Sequence, residues 1–374
     1  MKKLLLAAIL LSFLFSCTDP AAETKTDAWP LTGFVKTDSV NPILKPSPDL
    51  VFHCPLLNRD VKWEERNVLN PAAVVRNDTV FLFFRAQDMN GTSRIGLATS
   101  IDGLHFQKRT APVFYPAEDN MKGYEWDHKR DSVGGSICNV CFDGVEDPRI
   151  VEAEDGAYIM TYTSYDGKTA RLSLATSKDL VNWTKHGPVL SDPKYKDHWS
   201  KSGAIIVKQQ GNKILAVKIK GKYWMYFGDT DIFMASSDDL IHWQIAEDGE
   251  RHEMISVLNP RPGYFDSRLV EPGPYALLKD EGVLLIYNGS NAANFNDSSL
   301  LKFTYAAGQA LFDKNDPVKL LDRSENYFIH PDKDYEKIGE VNEVCFVEGL
   351  VYFKNKWFLY YGTADSKIAV AVKE

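Results

Sequence analysis

The sequence predicts an all-β protein, a five-bladed β-propeller with its functional site at the mouth of the central channel. Three observations lead there. A short phrase recurs: Arg94-Ile-Gly-Leu-Ala-Thr-Ser100 before Ile101-Asp-Gly-Leu-His-Phe106, Arg171-Leu-Ser-Leu-Ala-Thr-Ser177 before Lys178-Asp-Leu-Val-Asn-Trp183, and Asp231-Ile-Phe-Met-Ala-Ser-Ser237 before Asp238-Asp-Leu-Ile-His-Trp243. An apolar, aromatic-rich run precedes each copy, and such runs begin at five places: 81, 158, 223, 283 and 357. Finally, no sustained helical period appears after the N-terminal segment, only short β-rich runs broken by Asp-Gly, Asn-Gly and Gly-Pro turns. The spacing of about 60 to 75 residues exceeds the roughly 40–50 usual for propeller repeats, so long loops between strands are implied. A large two-sheet sandwich is the alternative architecture.

The elements follow in chain order. Met1-Lys-Lys3, an apolar run from Leu4 to Phe15 and Ser16-Cys17 read as an export signal, too short to span a membrane. Leu14-Phe-Ser-Cys17 resembles a lipobox, which makes residues 1–17 a lipoprotein-type signal with Cys17 as the lipidated residue. An ordinary signal peptide with a chance cysteine is the alternative. Residues 18–35 are a flexible tether, and residues 36–374 form the propeller domain. Within it, the first strand of each unit opens on polar residues and turns apolar: Asn70-Pro-Ala-Ala-Val74, Glu146-Asp-Pro-Arg-Ile-Val151, Ser200-Lys-Ser-Gly-Ala-Ile-Ile-Val207, Glu271-Pro-Gly-Pro-Tyr-Ala-Leu-Leu278 and Asn342-Glu-Val-Cys-Phe-Val347. Strands lining one axis would bring those polar ends together at one mouth.

A formal net charge of −8 without a basic stripe argues against nucleic acid as a partner. Aromatic residues make up 12 % of the chain, with eight tryptophans, which suits stacking on sugar faces and ordinary sheet packing alike. Four cysteines follow Cys17: Cys54, Cys138, Cys141 and Cys345, of which Cys138 and Cys141 could pair in an oxidising compartment. One isolated Cys-x-x-Cys and histidines without ligand spacing predict no metal, and no cofactor motif is present.

What the chain does supply is carboxylates at strand mouths: Asp147, Glu271, Glu343 and, after the third aromatic run, Asp229. Asp and Glu rarely go inside unless paired or bound. Two carboxyl groups across a scissile bond are what glycoside cleavage needs, one giving a proton and one handling the nucleophile. The competing reading pairs them with Arg149, Lys201 and Arg171 as buried ion pairs.

At these residues the sequence resembles glycoside hydrolase family 130. The likeness spans nearly the whole chain after the tether. It runs through Arg85-Ala-Gln-Asp88, Ser93-Arg-Ile-Gly-Leu-Ala98, Glu146-Asp-Pro-Arg149, Tyr162-Thr-Ser-Tyr-Asp-Gly167 and Pro262-Gly-Tyr-Phe-Asp266, then Tyr287-Asn-Gly289, Ala310-Leu-Phe-Asp313 and Tyr360-Tyr-Gly-Thr-Ala-Asp-Ser366. The resemblance implies a five-bladed propeller acting on β-mannosides, with Asp147 as proton donor. Most of the family are phosphorylases, in which the acid works through a sugar hydroxyl and cations surround phosphate. Here Tyr226-Phe-Gly-Asp229 stands where a His-Arg-Pro-like segment is expected, and Val270-Glu-Pro-Gly-Pro274 where a neutral Gly-Ala-Gly-Pro stretch is usual. One charge pair at ~4 Å is worth about 4 kcal/mol at an effective dielectric near 20, so carboxylates in place of cations would repel phosphate.

The resulting expectation is an exported inverting β-mannosidase, acting on β-1,2 linkages of a mannoside oligosaccharide. Asp147 is the acid, Glu271 the base and Asp229 the residue that positions water. Arg85, Asp88, Arg94, Arg149 and Asp365 hold the terminal sugar, with Tyr165, Asp266 and Glu343 contributing. Lys201 either neutralises Glu271 or is a vestigial phosphate contact. The loops 119–136 and 291–299 shape the subsites. A lipid anchor would place the protein in the periplasm or on the outer surface of a Gram-negative cell. The alternatives are a phosphorylase releasing mannose 1-phosphate and a non-catalytic glycan-binding propeller; oligomeric state is left open.

Overall fold

The computed structural model describes residues 29–127 and 141–374. Cys17, the signal segment and part of the 119–136 loop lie outside these residues. Among the described residues the chain is almost entirely β, with two single-turn helices, Lys122–Glu125 and Asp334–Lys337.

Five antiparallel meanders follow one another. The first comprises Asn67–Arg76, Thr79–Gln87, Thr92–Ser100 and Gln107–Lys108. The second comprises Asp143–Glu152, Tyr158–Tyr165, Ala170–Ser177 and Trp183–Pro188. The third is built on Ala204–Gln210, Tyr223–Phe227, Ile232–Ser237 and Trp243–Ile245. In the fourth, Leu269–Pro272 and Ala276–Leu278 share Val283–Ser290 as partner, followed by Tyr305–Phe312 and Leu320–Arg323. The fifth runs Cys345–Phe353, Lys356–Thr363 and Lys367–Lys373, and its outer strand is Val35–Lys36 from the other end of the chain. Each aromatic run of the sequence is the second strand of its meander.

Neighbouring meanders are stitched together. Ser93 pairs in parallel with Gly144, Leu215 with Glu152 and Ile206 with Ala276. Gly144 has φ +113°, and a Cβ there would stand 2.2 Å from the Ser93 carbonyl oxygen, so only glycine allows the first of these seams. Tyr275 donates to the Leu350 carbonyl at 2.7 Å, and Tyr360 to that of Gly103 at 2.9 Å. The apolar side chains pack between facing meanders instead of in one central core. Phe83, Leu97, Val145, Ile150 and Met160 fill the space between the first and second, and Val68, Phe84, Val351 and Tyr360 that between the fifth and first.

The repeated phrase turns out to be a turn. Ser100, Ser177 and Ser237 each accept the backbone N–H three residues on, at 2.9 Å, from Gly103, Leu180 and Leu240. Asp102, Asp179 and Asp239 accept the next amides, for instance Val181 at 2.9 Å and Asn182 at 2.7 Å. These bonds hold all three carboxyls well below the ordinary range, against the burial that opposes them.

Candidate active site

The site is built from irregularities at the starts of the first strands. Asn70 (φ +47°) and Asp147 (φ +50°) each precede a proline and sit at a break in register with the next strand. Proline cannot donate to the ladder, a bulge re-aims its side chain, and Asn and Asp tolerate the left-handed region better than most residues. Ser202 opens the third meander with φ +59°. A further register break, between Val347 and Gly349, sets Glu348 apart in the fifth.

These side chains meet. Asn70 Nδ2 donates to Asp147 Oδ1 at 2.9 Å. Arg85 reaches the same oxygen with Nη1 at 3.4 Å, Glu146 Oε1 with Nη2 at 2.7 Å, and Ser93 Oγ with Nε at 3.0 Å. Ser202 Oγ donates to Glu271. Beneath them Arg149 ties three meanders together. It donates to the Gly273 and Pro272 carbonyls at 2.7 and 2.8 Å and to that of Asp147 at 3.3 Å, and it pairs with Glu348 at 3.1 Å. Above them opens a cavity of about 290 Å³, into which Asn70, Arg85, Asp147, Lys201, Arg268, Glu271 and Asp365 project. Phe303, Tyr305 and Phe346 supply its apolar wall. A larger cleft of about 650 Å³, lined by Ala153, Asp179 and Leu240 among others, lies at the opposite strand ends and contains none of these groups.

The three carboxyls that share the cavity are not driven the same way. Burial works to raise the pKa of Asp147, but Arg85, Lys201, the Asn70 hydrogen bond and Arg149 outweigh it, and the group is held below its ordinary value. Burial pushes Glu271 up to about 7 against the pull of Lys201, with Asp229 adding to the rise. Asp365 is likewise pushed up by burial to about 6, against Arg85. Burial would discharge Lys201, yet Glu271, Glu146, Asp147 and Asp229 keep it firmly protonated. Burial and charge thus drive Asp147 and Glu271 apart: Glu271 takes up a proton more readily than an ordinary carboxyl, and Asp147 less readily. Paired groups whose pKa values are driven apart mark acid–base sites.

Of the residues named from sequence, Asp147, Glu271, Arg85, Lys201 and Asp365 line the cavity. Arg149 does not line it but lies behind the two acids, bonded to the Asp147 and Pro272 carbonyls. Asp229 does not line the cavity either; its Oδ2 accepts the Trp199 indole N–H at 2.6 Å. Tyr165 packs edge-on to Trp199 with ring centroids 6.0 Å apart. Four others do not reach the cavity. Asp88 accepts from Arg94 at 2.8 Å and from the Asn90 and Thr92 amides, so both members of that buried pair shape a turn. Asp266 is fully buried among Arg261, Arg323 and Tyr287. Glu343, half-exposed, faces Lys337 and Glu336; the acid that the fifth meander sends to the axis is Glu348, five residues on. Sequence reasoning missed Asn70, although Asn70-Pro71 repeats the pattern of Asp147-Pro148. It also missed Glu348, a charge inside an apolar strand, and Arg268, which carries no such signal. Cys141 is disulfide-bonded while Cys54 and Cys345 are free; the expected partner, Cys138, lies outside the described residues. Among the described residues no cluster of three or more His, Cys, Asp or Glu is placed to hold a metal ion.

An all-β chain with buried carboxyls in one cavity belongs among carbohydrate-active enzymes, and comparison with known proteins names the group. Residues 36–374 match the glycoside hydrolase family 130 profile, described as beta-1,4-mannooligosaccharide phosphorylase. The chain is a member of glycoside hydrolase family 130. It is 30 % identical over 325 residues to a 1,2-beta-oligomannan phosphorylase of Thermoanaerobacter sp. (strain X514), covering 84 % of this chain and 92 % of the relative. Among solved structures it is similar to a putative glycoside hydrolase from Parabacteroides distasonis ATCC 8503, with 43 % identity, a TM-score of 0.86 and coverage of 92 % and 98 % of the two chains. It is also similar to a structure described as showing that the family of mannoside phosphorylases contains glycoside hydrolases that target beta-1,2 mannosidic linkages in Candida mannan. There the identity is 39 % and the TM-score 0.87, over 93 % of this chain and 95 % of that one.

Proposed function

We propose that the five meanders are the blades of a five-bladed propeller and that the cavity at its axis hydrolyses terminal β-mannosides, β-1,2-linked, with inversion. The observation that carries this reading is the pair Asp147 and Glu271. They come from the second and fourth meanders, share one cavity of about 290 Å³, and have their pKa values driven in opposite directions, Asp147 down and Glu271 up to about 7. A pocket at the small end of the usual ~300–1,000 Å³ range suits an enzyme that admits one terminal ring. Arg85 and Asp365 hold that ring. Asp147 delivers the proton to the leaving sugar and Glu271, with Ser202 fixing its carboxylate, activates water on the other face. This direction requires Asp147 to be protonated and Glu271 ionised when substrate displaces the solvent around Arg85. Asp229 supports Glu271 through its charge and has lone pairs left to position the water. The lipid anchor at Cys17, a tether that ends before Trp29 because Trp29 and Leu31 pack in the core, and a location at the Gram-negative cell envelope complete the proposal, because an exported enzyme gains nothing from a phosphorylated product.

A second reading is favoured by one observation: Arg85, Lys201 and Arg268 all line the same cavity, and three cations can hold a phosphate. Product analysis on β-1,2-mannobiose, with and without inorganic phosphate, decides. Mannose released at equal rates in both conditions supports hydrolysis. Mannose 1-phosphate formed only with phosphate overturns it in favour of phosphorolysis, and binding without turnover overturns both.

A further inference from the structure

Trp199 is the most conspicuous aromatic side chain that the catalytic proposal leaves without a task. It is 44 % exposed, yet it is held from several sides. Its indole N–H donates to Asp229 Oδ2 at 2.6 Å, and Tyr165 packs against it edge-on. The Lys201 ammonium stands 5.5 Å from its ring centroid. The backbone on both sides is fastened as well. Ser200 accepts the Leu172 amide at 3.0 Å through its hydroxyl and donates its own N–H to the Ala170 carbonyl at 3.1 Å. The Lys201 carbonyl accepts the Gly228 amide at 2.9 Å, which zips the loop carrying Trp199 to the turn carrying Asp229. Exposing a large ring to water while fixing its orientation has no value for folding. It has value for a flat, amphipathic guest.

Position says which guest. Lys201 touches both worlds: it borders the Trp199 ring and it lines the cavity of Asp147 and Glu271. Trp199 itself is outside that cavity. Lys201 thus gives a chain of sugars whose terminal ring sits between the two carboxyls a route for its next ring onto the exposed Trp199 face. Pyranose rings present a C–H face on one side and hydroxyls at the edge. An indole face with an ammonium and a carboxylate beside it answers both.

We propose that Trp199 is the stacking platform for the leaving-group sugar and that Asp229 is its positioning residue. The inference rests on the glycosidase reading for the identity of the sugar. Its occupant is a neutral pyranose, the ring attached to the terminal mannosyl unit. Asp229 fixes the ring plane through the indole N–H.

Calorimetric titration of the inactive Asp147→Asn protein with β-1,2-mannobiose and with mannose tests this. Adding Trp199→Ala should weaken mannobiose roughly tenfold, about 1.4 kcal/mol, and change mannose less than twofold. Adding Trp199→Phe, which keeps a ring but lacks the N–H, should restore more than half of the loss in binding free energy. Equal weakening of both sugars, or of neither, overturns the platform. Failure of the glycosidase reading shows separately, as mannose 1-phosphate formed only with phosphate or as no turnover by the wild type, while the contrast between mannobiose and mannose persists.

Discussion

Glu271 sits where its own titration should be visible in the rate. Burial places its pKa at about 7, and kcat/KM reports the free enzyme's groups. If Glu271 is the base, it must be ionised, and kcat/KM rises with pH through about 7. If it is the acid, kcat/KM falls there instead. Glu271→Gln should remove that limb and cost on the order of 10²–10⁴ in rate, read from initial velocities across pH 5–9. Asp147→Asn should abolish turnover while the protein remains folded, since asparagine accepts the left-handed backbone and keeps the side-chain shape. Arg149→Met should behave differently. It strands three buried carbonyl acceptors, each costing about 1–3 kcal/mol when left unsatisfied, measurable by urea unfolding. At this scale the sequence was half legible. Asp147 and Glu271 stood out as charges at strand mouths. Glu343 and Glu348 could not be ranked, because a register break five residues away decides which one faces the axis.

The repeated Ser-x-Asp turn gives the element scale its clearest test. Ser177→Ala removes a buried hydroxyl that accepts the Leu180 amide and should cost about 1 kcal/mol. Asp179 is held below the ordinary carboxylate range by the Asn182 and Val181 amides. A depressed folded-state pKa adds stability above the unfolded value, and that stability is lost as pH falls. The difference in urea midpoint between wild type and Asp179→Asn should therefore be constant near neutrality and close below about pH 4. These turns were legible, since the phrase and the aromatic runs recur with one strand each. The outer strand of the fifth meander was not. It spans only Val35–Lys36, too short for any periodicity, and its residues had been assigned to the tether and the domain's first position.

Across the whole molecule, that short strand joins the two ends of the described chain in one sheet. Lys36 donates to Glu336 at 2.7 Å and to the His330 carbonyl at 2.7 Å, and it also pairs with Asp332. Glu336 is completely buried. Lys36→Met leaves it without a cation and should lower stability by about 3–5 kcal/mol, seen as an earlier thermal transition in circular dichroism. That Arg85, Asp147, Lys201, Glu271 and Asp365 share one cavity was legible once five units were read around one axis, whereas Arg268, which carries no strand-mouth signal, was not. Asn70, Asp147 and Ser202 occupy comparable bent positions in successive meanders, carrying an amide, an acid and a hydroxyl. If the ring arose by duplication, one ancestral slot was copied and then diversified. Chemistry could then migrate from sector to sector by single substitutions among small polar side chains, with the surrounding scaffold left untouched.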